Sequence, residues 1–358
     1  MAFGLALTGC GGGGGGGTSA TTTTTPPQAQ AVDYSCDKAA TLAAVPRTAG
    51  SASTSASVFA YVSENLSTQY QNPAVNAVSI TERWPLVIDG KNEELNVVIA
   101  KPASPSTPIN GIIIWNHGTD VAQATQPATN TMDFVLANQM TNRGYVVVAV
   151  ARRGNFGSTG EMGVSGQAGI DLSNKYLAGT VTFAGLTLIQ QQYQSASIVA
   201  ALDKMSKDAA YVPYLKNLIM MGGSGGADVS TQTAADSAVF KGATKRLVVR
   251  LAGAMSTQLD SDPKAVPGAD EYAAKLAASV NASTLWFQGE LDTLTSSGIV
   301  ACQYKFYAAS AKAAGYTSQL YVLPNAGHVS NGFLLFTTIL SGIFKKAAID
   351  EGFIGFAN

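Results

Sequence analysis

Apolar and polar positions fall into a regular rhythm from Ile80 onward. There ITERWPLVI and ELNVVIAKP flank Asp89-Gly90, a turn-forming dipeptide, and an antiparallel hairpin is predicted. GIIIWNHGTD reads as an apolar strand opening into a polar loop, and TMDFVLANQMTNRG as a helix stopped by Gly144. YVVVAVARRG is another apolar strand. After a long Gly- and Ser-rich stretch, QSASIVAALDKM sets Ile198, Ala201, Leu202 and Met205 at helical spacing. NLIMM, RLVVRLA, TLWFQ and QLYVL follow as short β-rich runs between helix-compatible segments. FLLFTTILSGIF, Phe333 to Phe344, is too short to cross a membrane and reads as a packed helix.

Continuous apolar strands alternating with helices predict an α/β fold, a mostly parallel central sheet with helices on both faces. In such sheets the functional residues gather in the loops beyond the carboxyl ends of the strands. Those loops here carry His117-Gly118-Thr119, Arg152-Arg153-Gly154, Ser224, the stretch from Ser256 to Asp262, Gly289-Glu290-Leu291-Asp292, and Gly327-His328.

The first 35 residues break the rhythm. A short apolar stretch runs into a glycine tract, a threonine tract and Pro26-Pro27, a composition that cannot bury enough surface to fold. Three regions are therefore expected: 1–35 as leader and tether, 36–79 as an extension packing on the core, and 80–358 as the catalytic domain. Leu7-Thr8-Gly9-Cys10 resembles a bacterial lipobox, which implies export, lipidation of Cys10 and a place in the cell envelope or secretion. Membrane contact is expected only through that anchor. Cys36 and Cys302 would then be an even pair that an oxidising compartment can join; two unrelated buried thiols are the alternative.

Composition removes other classes. The 358 residues are 46% hydrophobic, enough for a large core, and only 13% charged, with a net charge of −1. No basic stripe is available to hold a nucleic-acid backbone, so nucleic acid is excluded as a partner.

The candidate chemistry centres on Gly222-Gly223-Ser224-Gly225-Gly226. G-x-S-x-G is weak alone in a chain with 37 glycines, but here it follows LIMM and precedes ADVSTQTAADSAVF, the strand-turn-helix context of an exposed nucleophile. The run lacks the Gly-Lys-Ser/Thr ending of a phosphate-binding loop. A serine nucleophile needs a base, and the chain has two histidines. His328, in LPNAGHVS, is assigned as that base. His117 lies in a loop that better suits the oxyanion hole, where it either fixes the loop by hydrogen bonding or is an ordinary structural histidine. The backbone N–H groups of Gly225 and Thr119 are the candidate oxyanion donors, with Gly118 in the same loop.

These motifs resemble the α/β-hydrolases over roughly Ile80 to the C-terminus: HG after one strand, then G-x-S-x-G, G-x-x-D and GH in the family's order. RRGNFGSTGE, Arg152 to Glu161, is similar to a loop of dienelactone hydrolase-like and prolyl-oligopeptidase-like members. The resemblance implies a Ser224-Asp292-His328 triad, with Asp292 as the acid of the Gly289-x-x-Asp292 turn. Asp260 and Asp262 follow the sixth strand, where some members place the acid, and Glu290 is a nearer rival. The function implied is an exported serine esterase acting on a small-molecule or polymeric ester, with no cofactor and no metal. The alternatives are a prolyl-oligopeptidase-like peptidase or amidase and a non-catalytic surface binding protein on a hydrolase scaffold. Asn155 to Gln190 and Thr257 to Tyr272 are the expected pocket walls.

Overall fold

The computed structural model describes residues 33–45, 77–104, 106–118, 126–132, 134–161, 163, 171, 174–175, 177–179, 183–253, 269–292, 296–323, 327–328 and 348–353. Among the described residues there are eight strands: β1 (Ala77–Ile88), β2 (Lys91–Pro102), β3 (Gly111–Asn116), β4 (Tyr145–Val150), β5 (Asn217–Gly223), β6 (Lys245–Leu251), β7 (Ser283–Gly289) and β8 (Ser318–Leu323). They form one sheet in the order β1-β2-β4-β3-β5-β6-β7-β8. β2 is antiparallel to both neighbours, and all other pairs are parallel. The Asp89-Gly90 turn joins β1 to β2, with both residues at positive φ (51° and 76°), the backbone that a tight hairpin turn demands.

Strand alternation separates two cores. Ile112, Ile114, Val146, Val148 and Val150 face one side; Ile113, Trp115, Val147 and Ala149 face the other. β3, β4 and β5 are buried along their whole length, as the continuous apolar runs require. On the first side lie α3 (Phe183–Met205), α4 (Gly225–Asp236), α6 (Ala269–Val280) and α7 (Ser297–Ala313), which contribute Ile198, Val229, Leu276 and Val300 to that core. α2 (Phe134–Thr141) covers the second side with Ala137 and Met140. The short α5 (Ala238–Gly242), capped by the Ser237 hydroxyl, links α4 to β6.

α1 (Lys38–Ala44) is capped by Asp37, whose Oδ1 accepts from Ala40 N at 3.0 Å. The Cys36–Cys302 disulfide ties this helix to α7. Tyr34 adds a ring contact with Phe306, centroids 5.2 Å apart. Residues 46–76 of the expected extension, and Phe333 to Phe344, lie outside the described residues.

Several element boundaries differ from expectation. β1 begins before Ile80 and β2 before Glu94, so the hairpin strands are 12 residues each. Helix α3 also starts at Phe183, well before Gln194, so Phe183–Gln190 is helix within a stretch expected to be loop. Gln190-Gln191-Gln192 interrupts the apolar periodicity there, which concealed the helix.

Candidate active site

The parallel strands deliver the candidate residues to one end of the sheet. β5 ends at Gly223, and α4 begins at Gly225, leaving Ser224 alone on the corner with φ 53° and ψ −128°. A non-glycine residue held there is strained by about 1–3 kcal/mol. Close packing holds it: Ser224 N donates to Leu251 O on β6 (2.8 Å), and Ser224 O accepts from Ala227 N (2.9 Å). The flanking glycines are steric requirements. A Cβ on Gly226 would collide with the carbonyl oxygens of Asn116 and His117, and one on Gly222 would stand 2.8 Å from Asn116 O and collide with Gly226. Gly225 opens the helix, so its N–H lacks an intrahelical acceptor and sits at the positive end of the helix dipole.

His328 reaches the serine from beyond β8. Its Nε2 lies 3.0 Å from Ser224 Oγ, and its Nδ1 lies 2.9 Å from Asp292 Oδ2. The Asp292 side chain is 0% exposed and that of His328 13%. An ionised carboxylate can only accept, so Nδ1 carries the proton and Nε2 is free to accept from the serine hydroxyl. Asp292 follows β7 in a tight turn, its N–H donating to Gly289 O at 3.3 Å. Gln288, on β7, donates Nε2–H to the same Asp292 Oδ2 at 2.8 Å. Glu290 instead has its N–H and C=O bound by Leu323 O and the Ser297 hydroxyl. The rival carboxylates Asp260 and Asp262 lie outside the described residues.

On the other side of Ser224, the loop after β3 passes close by. A Cβ on Gly118 would stand 3.7 Å from Ser224 Cβ. This loop is clamped by Arg152, the second residue after β4, whose guanidinium donates to His117 O (2.8 Å), Gly118 O (2.9 Å) and Gln194 Oε1 (3.0 Å). His117 Nδ1–H donates to Gly118 O (2.7 Å), while Nε2 accepts from Arg152 N (3.4 Å). The histidine thus ties its own loop to the Arg152 backbone. Burial pulls the Arg152 pKa down to about 9, which leaves it cationic at neutral pH. Phe156 closes over the His117 ring edge-on at 4.7 Å. Thr119, the expected second oxyanion donor, lies outside the described residues, as does Cys10.

Beneath helix α4 sits a second buried guanidinium. Arg250 on β6 bonds Asp228 Oδ1 (2.6 Å), the carbonyls of Ala227 and Gly253 (3.0 Å each) and the Thr231 hydroxyl, and lies over the Trp286 ring at 4.3 Å. Among the described residues, no group of three or more His, Cys, Asp or Glu side chains is placed to hold a metal ion.

The fold is that of the α/β-hydrolases. No protein-family model and no curated protein matches the sequence. Solved structures similar to this chain include an esterase of Pyrococcus furiosus, at 14% identity and TM-score 0.49, covering 83% of this chain and 94% of that one. An acylaminoacyl peptidase of Pyrococcus horikoshii aligns at 12% identity and TM-score 0.48 over 78% of this chain, which spans 42% of that longer protein. Acetyl xylan esterase 1 of a Thermoanaerobacterium species aligns at 14% identity and TM-score 0.44, covering 79% and 93% of the two chains.

Three contributors to this site were not foreseen: the Arg152 clamp, the Gln288 bond to Asp292, and the Arg250–Asp228 pair. Each left a trace in the sequence, as a polar or charged residue at or just beyond the end of an apolar strand. Such a trace marks a buried polar group without naming its partner.

Proposed function

We propose that the protein is a serine hydrolase that cleaves a carboxylic ester through an acyl-enzyme. The observation that carries this reading is the Ser224-His328-Asp292 relay of hydrogen bonds, at 3.0 and 2.9 Å, on a strained corner at a helix N-terminus. Ser224 Oγ attacks the ester carbonyl carbon as its proton passes to His328 Nε2, and Asp292 stabilises the imidazolium. The carbonyl oxygen becomes an oxyanion facing the Gly225 N–H. As the tetrahedral intermediate collapses, the alcohol leaves with the proton from Nε2. Water then repeats the sequence on the acyl-serine and releases the acid.

The Cys36–Cys302 bond accords with an exported protein, since disulfides persist in oxidising compartments. Export and lipidation at Cys10 are part of the same proposal.

The test is a panel of p-nitrophenyl acyl esters of graded chain length, run in parallel with peptide p-nitroanilides. Ester turnover by the wild type, lost by several orders of magnitude in folded Ser224→Ala, is expected. Asp292→Asn should lose about 10⁴-fold, as the same change does in a serine-protease triad, while Asp260→Asn and Asp262→Asn retain activity. Turnover of the peptides alone, or wild-type rates in Ser224→Ala, would contradict the proposal.

A further inference from the structure

Gln288 is the last residue but one of β7, buried, and four positions before Asp292. Its side chain reaches along the strand end to the carboxylate, and both its amide N–H and the His328 Nδ1–H point at one oxygen, Asp292 Oδ2, at 2.8 and 2.9 Å. An ionised carboxylate accepts only, so the amide has to present its NH₂ group there and not its carbonyl. The shared oxygen has consequences for the acid. A carboxylate shut away from water is disfavoured as an anion, and each donor that binds the charged form restores it. A neutral amide does this without adding a positive charge that would compete with the imidazolium for the carboxylate. It also fixes the side-chain torsions of Asp292, so that Oδ2 stays aimed at His328.

We infer that Gln288 is a positioning residue for the candidate triad: it holds Asp292 aligned and shares its Oδ2 with His328, and by drawing on that oxygen it sets the protonation of His328. The inference deepens the serine-hydrolase reading and rests on it for its function, but its physical content can be measured without any substrate. Only two histidines are present, so the ring signals of labelled histidine are few enough to follow individually by NMR. His117 is bound to the Gly118 carbonyl and the Arg152 backbone, and serves as the internal control.

In Gln288→Glu an additional acidic group enters beside Asp292. Two carboxyl groups in contact cannot both ionise without a cation beside them, and the imidazolium is that cation, so the last proton should leave His328 at higher pH: its midpoint should rise by about one pH unit while that of His117 stays in place. In Gln288→Leu a donor is lost from the carboxylate and the potential at His328 becomes more negative. The midpoint should rise in the same direction by a smaller amount. This second variant keeps the measurement available if the buried glutamate prevents folding. The side chain of Glu290, the other acidic residue at the end of β7, is unchanged in both. On an ester that the wild type turns over, Gln288→Leu should lower kcat about 10- to 100-fold with little change in KM, as expected for the loss of a hydrogen bond to a charged group.

A His328 midpoint that is the same as wild type in the folded variants would overturn the inference, whatever the activity. Wild-type protein that cleaves no ester would defeat the proposed function and leave the titration to decide the role of Gln288 by itself.

Discussion

Arg152 and Arg250 are both buried beside the turn that carries Ser224, one on each side of β5, and different chemistry holds each. Arg250 has a carboxylate partner, Asp228, whose own pKa burial pushes up to about 6 against the pull of the guanidinium. Its remaining bonds reach the first turns of α4 and the chain just beyond β6. Arg152 is bound by two backbone carbonyls and a glutamine amide, and among the described residues no carboxylate pairs with it. The paired arginine fixes the base of the nucleophile helix, a job of stability. The arginine held by carbonyls governs the orientation of a loop. In a trans peptide the C=O and the following N–H point opposite ways, so drawing the His117 carbonyl towards Arg152 turns the Gly118 N–H to the other side. Under the proposed function its positive charge, bound to the Gly118 carbonyl, would add to the field at a developing oxyanion.

Four variants test this contrast. Arg250→Met should have the largest effect, because Asp228 is left as a buried charge with no partner. Breaking such a pair costs about 3–5 kcal/mol, read as a loss of unfolding free energy in urea. Removing the carboxylate too, in Arg250→Met with Asp228→Leu, should recover part of that loss. Arg152→Met comes next and should act on rate: about 10²–10³-fold in kcat, or roughly 2.7–4 kcal/mol, as for the loss of one oxyanion donor. Its stability should fall less than that of Arg250→Met, since among the described residues no carboxylate loses its partner, and deleting the buried cation also removes a desolvation cost. The smallest change is expected for Arg152→Lys, about tenfold in kcat. An ammonium keeps the charge but lacks the planar fork that spans two neighbouring carbonyls. Equal losses of kcat for the lysine and methionine variants would mean that geometry alone matters. A larger stability loss at Arg152 than at Arg250 would break the comparison.

The same contrast explains what could be read from the chain. Ser224 was legible because its corner needs Gly222 and Gly226 for steric reasons, and sterics act between near neighbours in sequence. His328 was legible by scarcity, as one of two histidines, and Asp292 through the turn it shares with Gly289. The parallel sheet followed from apolar runs such as GIIIW and YVVVAV, whose burial on both faces leaves no polar alternation. The Arg152 clamp was not legible, since its acceptors are backbone carbonyls 34 and 35 residues away, and any residue offers a carbonyl. Asp228 and Arg250 are 22 positions apart, and only the packing of α4 on β6 brings them together. Gln288 is a polar residue ending TLWFQ, but the direction of its side chain depends on the path of the chain after Gly289.

The central claim is that Ser224 is a nucleophile activated by His328. It is tested most directly by treating the folded protein with a fluorophosphonate and locating the adduct by peptide mass spectrometry. The account predicts one adduct, on the peptide that contains Ser224, with no labelling of Ser224→Ala and greatly slowed labelling of His328→Ala. An adduct on another residue, or labelling of Ser224→Ala at the wild-type rate, would contradict it.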